Sequence, residues 1–127
     1  MGFKKLSGHI LIVDDEDIIR ELLKMFLEDF GFTVDEAENG NVAIEKFKHR
    51  KYDVVITDMN MPKMKGDRLI EELGKAGYLK DTKAFAITGG VDTDTFRHWG
   101  VGIITKPFTQ KELYQQLDMS IVIKQIC

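Results

Sequence analysis

The chain has 127 residues, a formal charge of −3 and 43% hydrophobic residues, a size and balance that fit one domain able to fold without disulfides or a structural metal. Its basic residues are scattered rather than gathered into a stripe with aromatics, which argues against direct nucleic-acid contact, and no apolar run approaches a membrane span. The one cysteine, Cys127, allows no internal disulfide, and residues 1–8 show neither the apolar stretch of a leader nor a myristoylation signal, so no membrane anchor and a cytoplasmic setting are expected.

Two hydrophobic periods alternate along the chain. Residues 9–13 form a continuous apolar run, the pattern of a strand buried on both faces, and run straight into Asp14, Asp15, Glu16 and Asp17. Ile18, Ile19, Leu22, Leu23, Phe26, Leu27 and Phe30 then recur at three- and four-residue spacing until Gly31, which predicts an amphipathic helix with a glycine C-cap. A second strand is expected over 32–37. Asn39, Gly40 and Asn41 then open a helix that turns Ala43, Ile44 and Phe47 inward.

Val54 to Ile56 drives into Asp58, with Pro62 and Gly66 close behind, so a buried strand ends where a carboxylate is presented. Gly66 and Asp67 begin a third helix carrying Leu69, Ile70 and Leu73, with Gly74 and Gly77 at its exit. A fourth strand over 84–87 leads through Thr88, Gly89 and Gly90 into a short polar helix over 93–99. A fifth strand over 101–105 ends at Lys106 and Pro107, and a last helix from Thr109 places Leu113, Leu117 and Ile121 inward.

Strands alternating with helices at this spacing predict parallel βαβ units with right-handed crossovers and helices on both faces, a doubly wound α/β sheet. No repeat or linker interrupts it, so a single domain over 1–127 is expected. In such sheets the site lies beyond the carboxyl ends of the strands, where Asp14, Asp15, Asp58, Thr88 and Lys106 all fall. With strand order 2-1-3-4-5 these side chains reach one small volume. Only the second strand presents nothing comparable. Carboxylates gathered there repel one another unless a cation sits among them, and oxygen ligands suit Mg²⁺, with Mn²⁺ as the alternative, rather than zinc. A metal beside a carboxylate, a hydroxyl and a lysine is what phosphoryl transfer needs, and the carboxylate can itself be the nucleophile.

These motifs, I-L-I-V-D-D-E, A-E-N-G, Y-D-V-V-I-T-D-M-N-M-P with Gly66 beyond, A-I-T-G and T-K-P-F, resemble the receiver domains of two-component response regulators from Ile10 to Gln116. The resemblance implies a flavodoxin-like (βα)5 sandwich. It makes Asp58 the phosphoacceptor, with Mg²⁺ held by Asp14, Asp15, Asp58 and the backbone carbonyl of Asn60, Thr88 on a phosphoryl oxygen, Lys106 on the phosphoryl charge, and a cis Lys106–Pro107 bond. It implies a sensor histidine kinase or phosphotransfer protein as donor, a downstream protein met through the helix 4, strand 5 and helix 5 face, a monomer or weak homodimer, and no enzyme activity beyond self-phosphotransfer and autodephosphorylation. Two features depart from the family pattern: Ile103 replaces the usual aromatic three residues before the lysine, and Gly89-Gly90 shortens the fourth helix.

Other readings fit parts of the pattern. A phosphohydrolase similar to the haloacid dehalogenases would use Asp15 as nucleophile, with Thr88 and Lys106 in its later motifs, but leaves Asp58 and Gly66 unexplained. A phosphorylation-independent scaffold would have no reason to keep mutually repelling acids, and a flavodoxin-like FMN binder would not place four acids where phosphate must sit. Met59, Met61 and Met64 read as packing residues; Trp99 reads equally as a partner anchor or a core cap; and Ile121, Val122 and Ile123 exceed what one helix face needs.

Overall fold

The computed structural model describes residues 4–61, 63–89 and 94–126. Pro62, Gly90 and Thr93, used in the sequence reading, lie outside these, as do the side chains of Ile121, Val122 and Ile123. The elements are β1 (His9–Val13), α1 (Asp17–Phe30), β2 (Thr33–Ala37), α2 (Gly40–His49), β3 (Val54–Asp58), α3 (Gly66–Lys75), a 3-10 turn (Tyr78–Lys80), β4 (Lys83–Thr88), α4 (Asp94–Trp99), β5 (Gly102–Thr105) and α5 (Gln110–Ile126). All pairings are parallel in the order β2-β1-β3-β4-β5, the doubly wound arrangement the alternation of periods predicts. The 3-10 turn had no signal in the periodicity; it opens at Gly77, whose φ of 88° is left-handed.

The alternation of side chains along each strand divides the core. Ile10, Ile12, Val54, Ile56, Phe85 and Ile87 meet Leu23, Leu27 and Phe30 of α1 and Leu113 and Leu117 of α5 on one face. Leu11, Val13, Val55 and Ala84 meet Ala43 and Phe47 of α2 and Leu69 and Leu73 of α3 on the other, and Phe96 of α4 joins Ile70 and Ala86 beside them. Each fully buried Leu or Ile here contributes about 1.5–3 kcal/mol of apolar burial. Strands covered on both sides therefore need the near-continuous apolar runs seen in β1 and β3.

Local signals fix the helix ends. Gly31 caps α1 in the left-handed region, Asn39 caps α2 by accepting from Val42 N–H at 2.9 Å, and Thr109 and Glu112 form a reciprocal capping box at α5. The face of α1 that packs is narrower than its sequence pattern. Leu23, Leu27 and Phe30 are buried, whereas Ile18 (78% exposed), Leu22 (41%) and Met25 (67%) form a second apolar stripe turned to solvent. Met61 and Met64 are buried and Met59 partly so, as packing residues. Trp99 is a cap on the core: its ring lies where a Cβ on Gly74 would approach within 2.5 Å, and its Nε1 donates to Glu71 Oε1 at 2.6 Å.

Candidate functional site

Strand register assembles the site before any side chain is considered. Val13 pairs with Thr57 and Asp58 with Ile87, so Asp14, one residue past β1, is level with Asp58 at the end of β3. Thr88 closes β4 beside Thr105, and the Lys106 N–H donates to Thr88 O at 2.9 Å. Four strand ends thus deliver Asp14, Asp58, Thr88 and Lys106 to one edge of the sheet. Asp14, Asp58 and Thr88 are buried, whereas Asp15 and Asn60 are exposed on the loops that follow β1 and β3.

Lys106 bridges strands that are not neighbours. Two strand spacings, about 10 Å, separate β5 from β3, and the lysine stem spans them to bring Nζ within 3.4 Å of Asp58 Oδ1. The Lys106–Pro107 bond is cis, as the resemblance implied. Gly66 makes this edge possible: a Cβ there would lie 2.9 Å from Met59 Cα and closer still to the Asp58 carbonyl oxygen, and its N–H closes the loop onto Met59 O at 3.2 Å.

The acids on the other side form a tighter group. Asp14, Asp15 and Glu16 each present a carboxylate oxygen within 4.8 Å of the others, the one such group among the described residues. Asp58 stands outside it, paired with Lys106. Glu16 was missed by the sequence reading, although it continues the acidic run. Burial pushes the Asp14 carboxyl up from 3.8 to about 6; the hydrogen bond from Glu16 N–H at 2.9 Å opposes this, and the charges of Asp58, Asp15 and Glu16 add to it. A buried carboxylate next to exposed ones, with oxygen the sole donor, fits a hard divalent cation that keeps part of its water.

Arg20 was also missed; its one sequence signal is the helical spacing from Asp17. It donates through Nη1 to Asp14 O at 2.6 Å, through Nε to Glu36 Oε1 at 3.2 Å and through Nη2 to Asp17 Oδ1. Ile103, at the atypical position, packs with Phe96 and Trp99 against the Ile70 and Ala86 cluster, so aliphatic packing fills the place beneath α4.

Comparison with known proteins follows from this geometry. Residues 10–118 match the family profile described as response regulator receiver domain. The chain is 37% identical over 112 residues to the transcriptional regulatory protein SrrA of Staphylococcus aureus, covering 85% of this chain and 45% of that protein; it spans about half the length of this relative. The chemotaxis response regulator CheY4 of Vibrio cholerae superposes with a TM-score of 0.82 at 28% identity, covering 90% of this chain and 98% of that one. The response regulator TrrA of Thermotoga maritima, solved in complex with Mg²⁺-BeF, superposes with a TM-score of 0.74 at 36% identity over 87% of this chain and 96% of that one.

Proposed function

The chain belongs to the response regulator receiver domain family, and from that premise we propose that it is a phosphoacceptor of a two-component phosphorelay, one receiver domain over residues 1–127, phosphorylated at Asp58 in a Mg²⁺-dependent reaction. The observation that carries the reading is Lys106 Nζ at 3.4 Å from the buried Asp58 carboxylate, level with the acidic group that follows β1. Asp14, Asp15 and Asp58, with the backbone carbonyl of Asn60, would hold the ion. When bound, it neutralises the carboxylates and the incoming phosphoryl group.

The chain's own residues then act as follows. An Asp58 carboxylate oxygen attacks phosphorus as the bond to the donor's histidine nitrogen breaks, giving an aspartyl phosphate. Lys106 moves from pairing with the carboxylate to pairing with phosphoryl oxygens, and the Thr88 hydroxyl donates to another of them. Because Thr88 ends β4 and the Lys106 N–H bonds to its carbonyl, a shift at either is felt along β5 and α4, and the output is a change in binding on the α4, β5 and α5 face. The catalytic scope ends at self-phosphorylation and autodephosphorylation.

The donor is a sensor histidine kinase or a phosphotransfer protein. In support, the exposed stripe Ile18, Leu22 and Met25 starts directly after the acidic loop, where a protein delivering a phosphoryl group to Asp58 must stand. The TrrA complex with Mg²⁺-BeF supports Mg²⁺ as the ion in this family. No described helix is long and apolar enough to cross a membrane, and we take the cytoplasm as the place of action. The phosphohydrolase alternative loses ground because Lys106 pairs with Asp58, not with Asp15.

Intact-protein mass after incubation with acetyl phosphate tests the proposal on wild type, Asp58→Asn and Asp15→Asn, with and without Mg²⁺. A Mg²⁺-dependent phosphoryl adduct that vanishes in Asp58→Asn is expected. An adduct that survives loss of Asp58 but not of Asp15 would favour the hydrolase, and no response of wild type to acetyl phosphate or to fluoroberyllate would favour the silent scaffold.

A further inference from the structure

The second strand sends no side chain of its own to the phosphoacceptor edge, yet it is joined to that edge through Arg20. The guanidinium, with its side chain only 13% exposed, spans three acceptors on three segments: Asp14 O at 2.6 Å, Glu36 Oε1 on β2 at 3.2 Å, and Asp17 Oδ1 at the start of α1. Asp14 is thereby held at three of its atoms. Its N–H donates to Ala37 O at 3.1 Å, its carboxylate accepts from Glu16 N–H at 2.9 Å, and its carbonyl accepts from Arg20. Without Arg20, the loop carrying Asp14, Asp15 and Glu16 would lose the side-chain link that ties its backbone to α1 and β2. A planar guanidinium reaches these three acceptors from three separate nitrogens at fixed angles, whereas an ammonium carries all three of its donors on one atom.

We infer that Arg20 is a positioning residue for Mg²⁺: it fixes the β1–α1 loop in the geometry that points the Asp14 and Asp15 carboxylates at the ion, and Glu36 of β2 holds Arg20 in place. The inference rests on the receiver reading and names a residue that acts through the carbonyl of Asp14, not through contact with the metal. Positioning and simple charge have opposite consequences. If Arg20 mattered only as a cation near an acidic site, removing it would tighten Mg²⁺ binding. If it positions the loop, removing it weakens binding, on the scale of the ten- to hundredfold, roughly, that outer-shell partners contribute to metal affinity.

The test is Mg²⁺ titration by calorimetry on the full chain for wild type, Arg20→Met, Arg20→Lys and Asp15→Asn, with thermal unfolding in EDTA as the control for folding. Positioning predicts a Kd at least about tenfold weaker in Arg20→Met and a clear weakening in Arg20→Lys, which keeps the charge and, should Arg20→Met fail to fold, decides alone. Tighter binding in Arg20→Met with Arg20→Lys matching wild type overturns the inference, and so does a lowered Tm with unchanged Kd, the signature of a merely structural residue. The receiver reading fails separately: wild type that takes up no Mg²⁺ overturns both, whereas binding lost in Asp15→Asn but unaltered in the Arg20 variants overturns the inference alone.

Discussion

Asp14→Asn should make the metal-free protein more stable while abolishing its use of Mg²⁺. Asp14 is 1% exposed, and burial with neighbouring acids raises its carboxyl from 3.8 to about 6. Between those values the folded state holds a proton that the unfolded state has released. The stabilisation this gives is complete below 3.8 and is lost as pH rises through 6. At about 1.4 kcal/mol per tenfold change in proton affinity, the ionised group costs about 3 kcal/mol at pH 7.5 and about half of that at pH 5. Asparagine removes the charge and keeps the oxygen that accepts from Glu16 N–H. In EDTA at pH 7.5 the variant should therefore melt about 10 °C above wild type, with the gap shrinking by about half at pH 5. Mg²⁺ should raise the Tm of wild type and leave the variant unmoved. Thermal and urea unfolding followed by circular dichroism at both pH values decide the matter. A variant no more stable than wild type at pH 7.5, or a gap that does not change with pH, would refute the electrostatic account.

Three further outcomes follow from other contacts. Lys106→Met removes the cation 3.4 Å from Asp58 and should slow adduct formation from acetyl phosphate by about a hundredfold, the usual loss when one charge-stabilising donor is deleted; a time course by intact mass that matches wild type would deny the lysine its role. Gly66→Ala forces a Cβ against the Asp58 carbonyl and Met59 and should cost about 1–3 kcal/mol, the scale of overpacking, read as a fall in urea midpoint; an unchanged midpoint would mean that α3 can retreat freely from β3. Gly89 is exposed and a Cβ there meets nothing within 4 Å among the described residues, so its lack of a side chain offers no shield against water and the aspartyl phosphate should be short-lived. Gly89→Tyr should lengthen its lifetime several-fold by mass-spectrometric decay, and a wild-type lifetime of days would contradict the reasoning.

The strand ends were legible because burial on both faces leaves a parallel strand no pattern but a run of apolar residues, and the first polar residue after that run marks where the strand emerges. Asp14 and Thr88 are each such a residue, and Asp58 and Lys106 follow one position later, after Thr57 and Thr105. The helix caps Gly31, Asn39 and Thr109 were legible for a similar local reason: each satisfies or terminates backbone groups within four residues of itself. Trp99 was not resolved by its sequence, since an exposed anchor and a core cap have the same local pattern; Gly74, twenty-five positions away, provides the seat that decides it. The α1 stripe misled in a related way. Its period announced a helix correctly, but which of two apolar faces packs depends on where the sheet lies.

What the sequence determined by itself is therefore local or periodic: the alternation of strand and helix, the boundaries set by glycine, asparagine and the acids, and the residue types offered at each strand end. Tertiary structure alone decided what those residues are to one another. Register put Asp14 level with Asp58, a four-carbon stem carried Lys106 across a whole strand to Asp58, and Arg20 linked β2 to the acidic loop through a backbone carbonyl. Each of these depends on distances between segments remote in the chain, and hydrophobic periodicity, which records only whether a residue faces the core, carries no information about which neighbour it meets there.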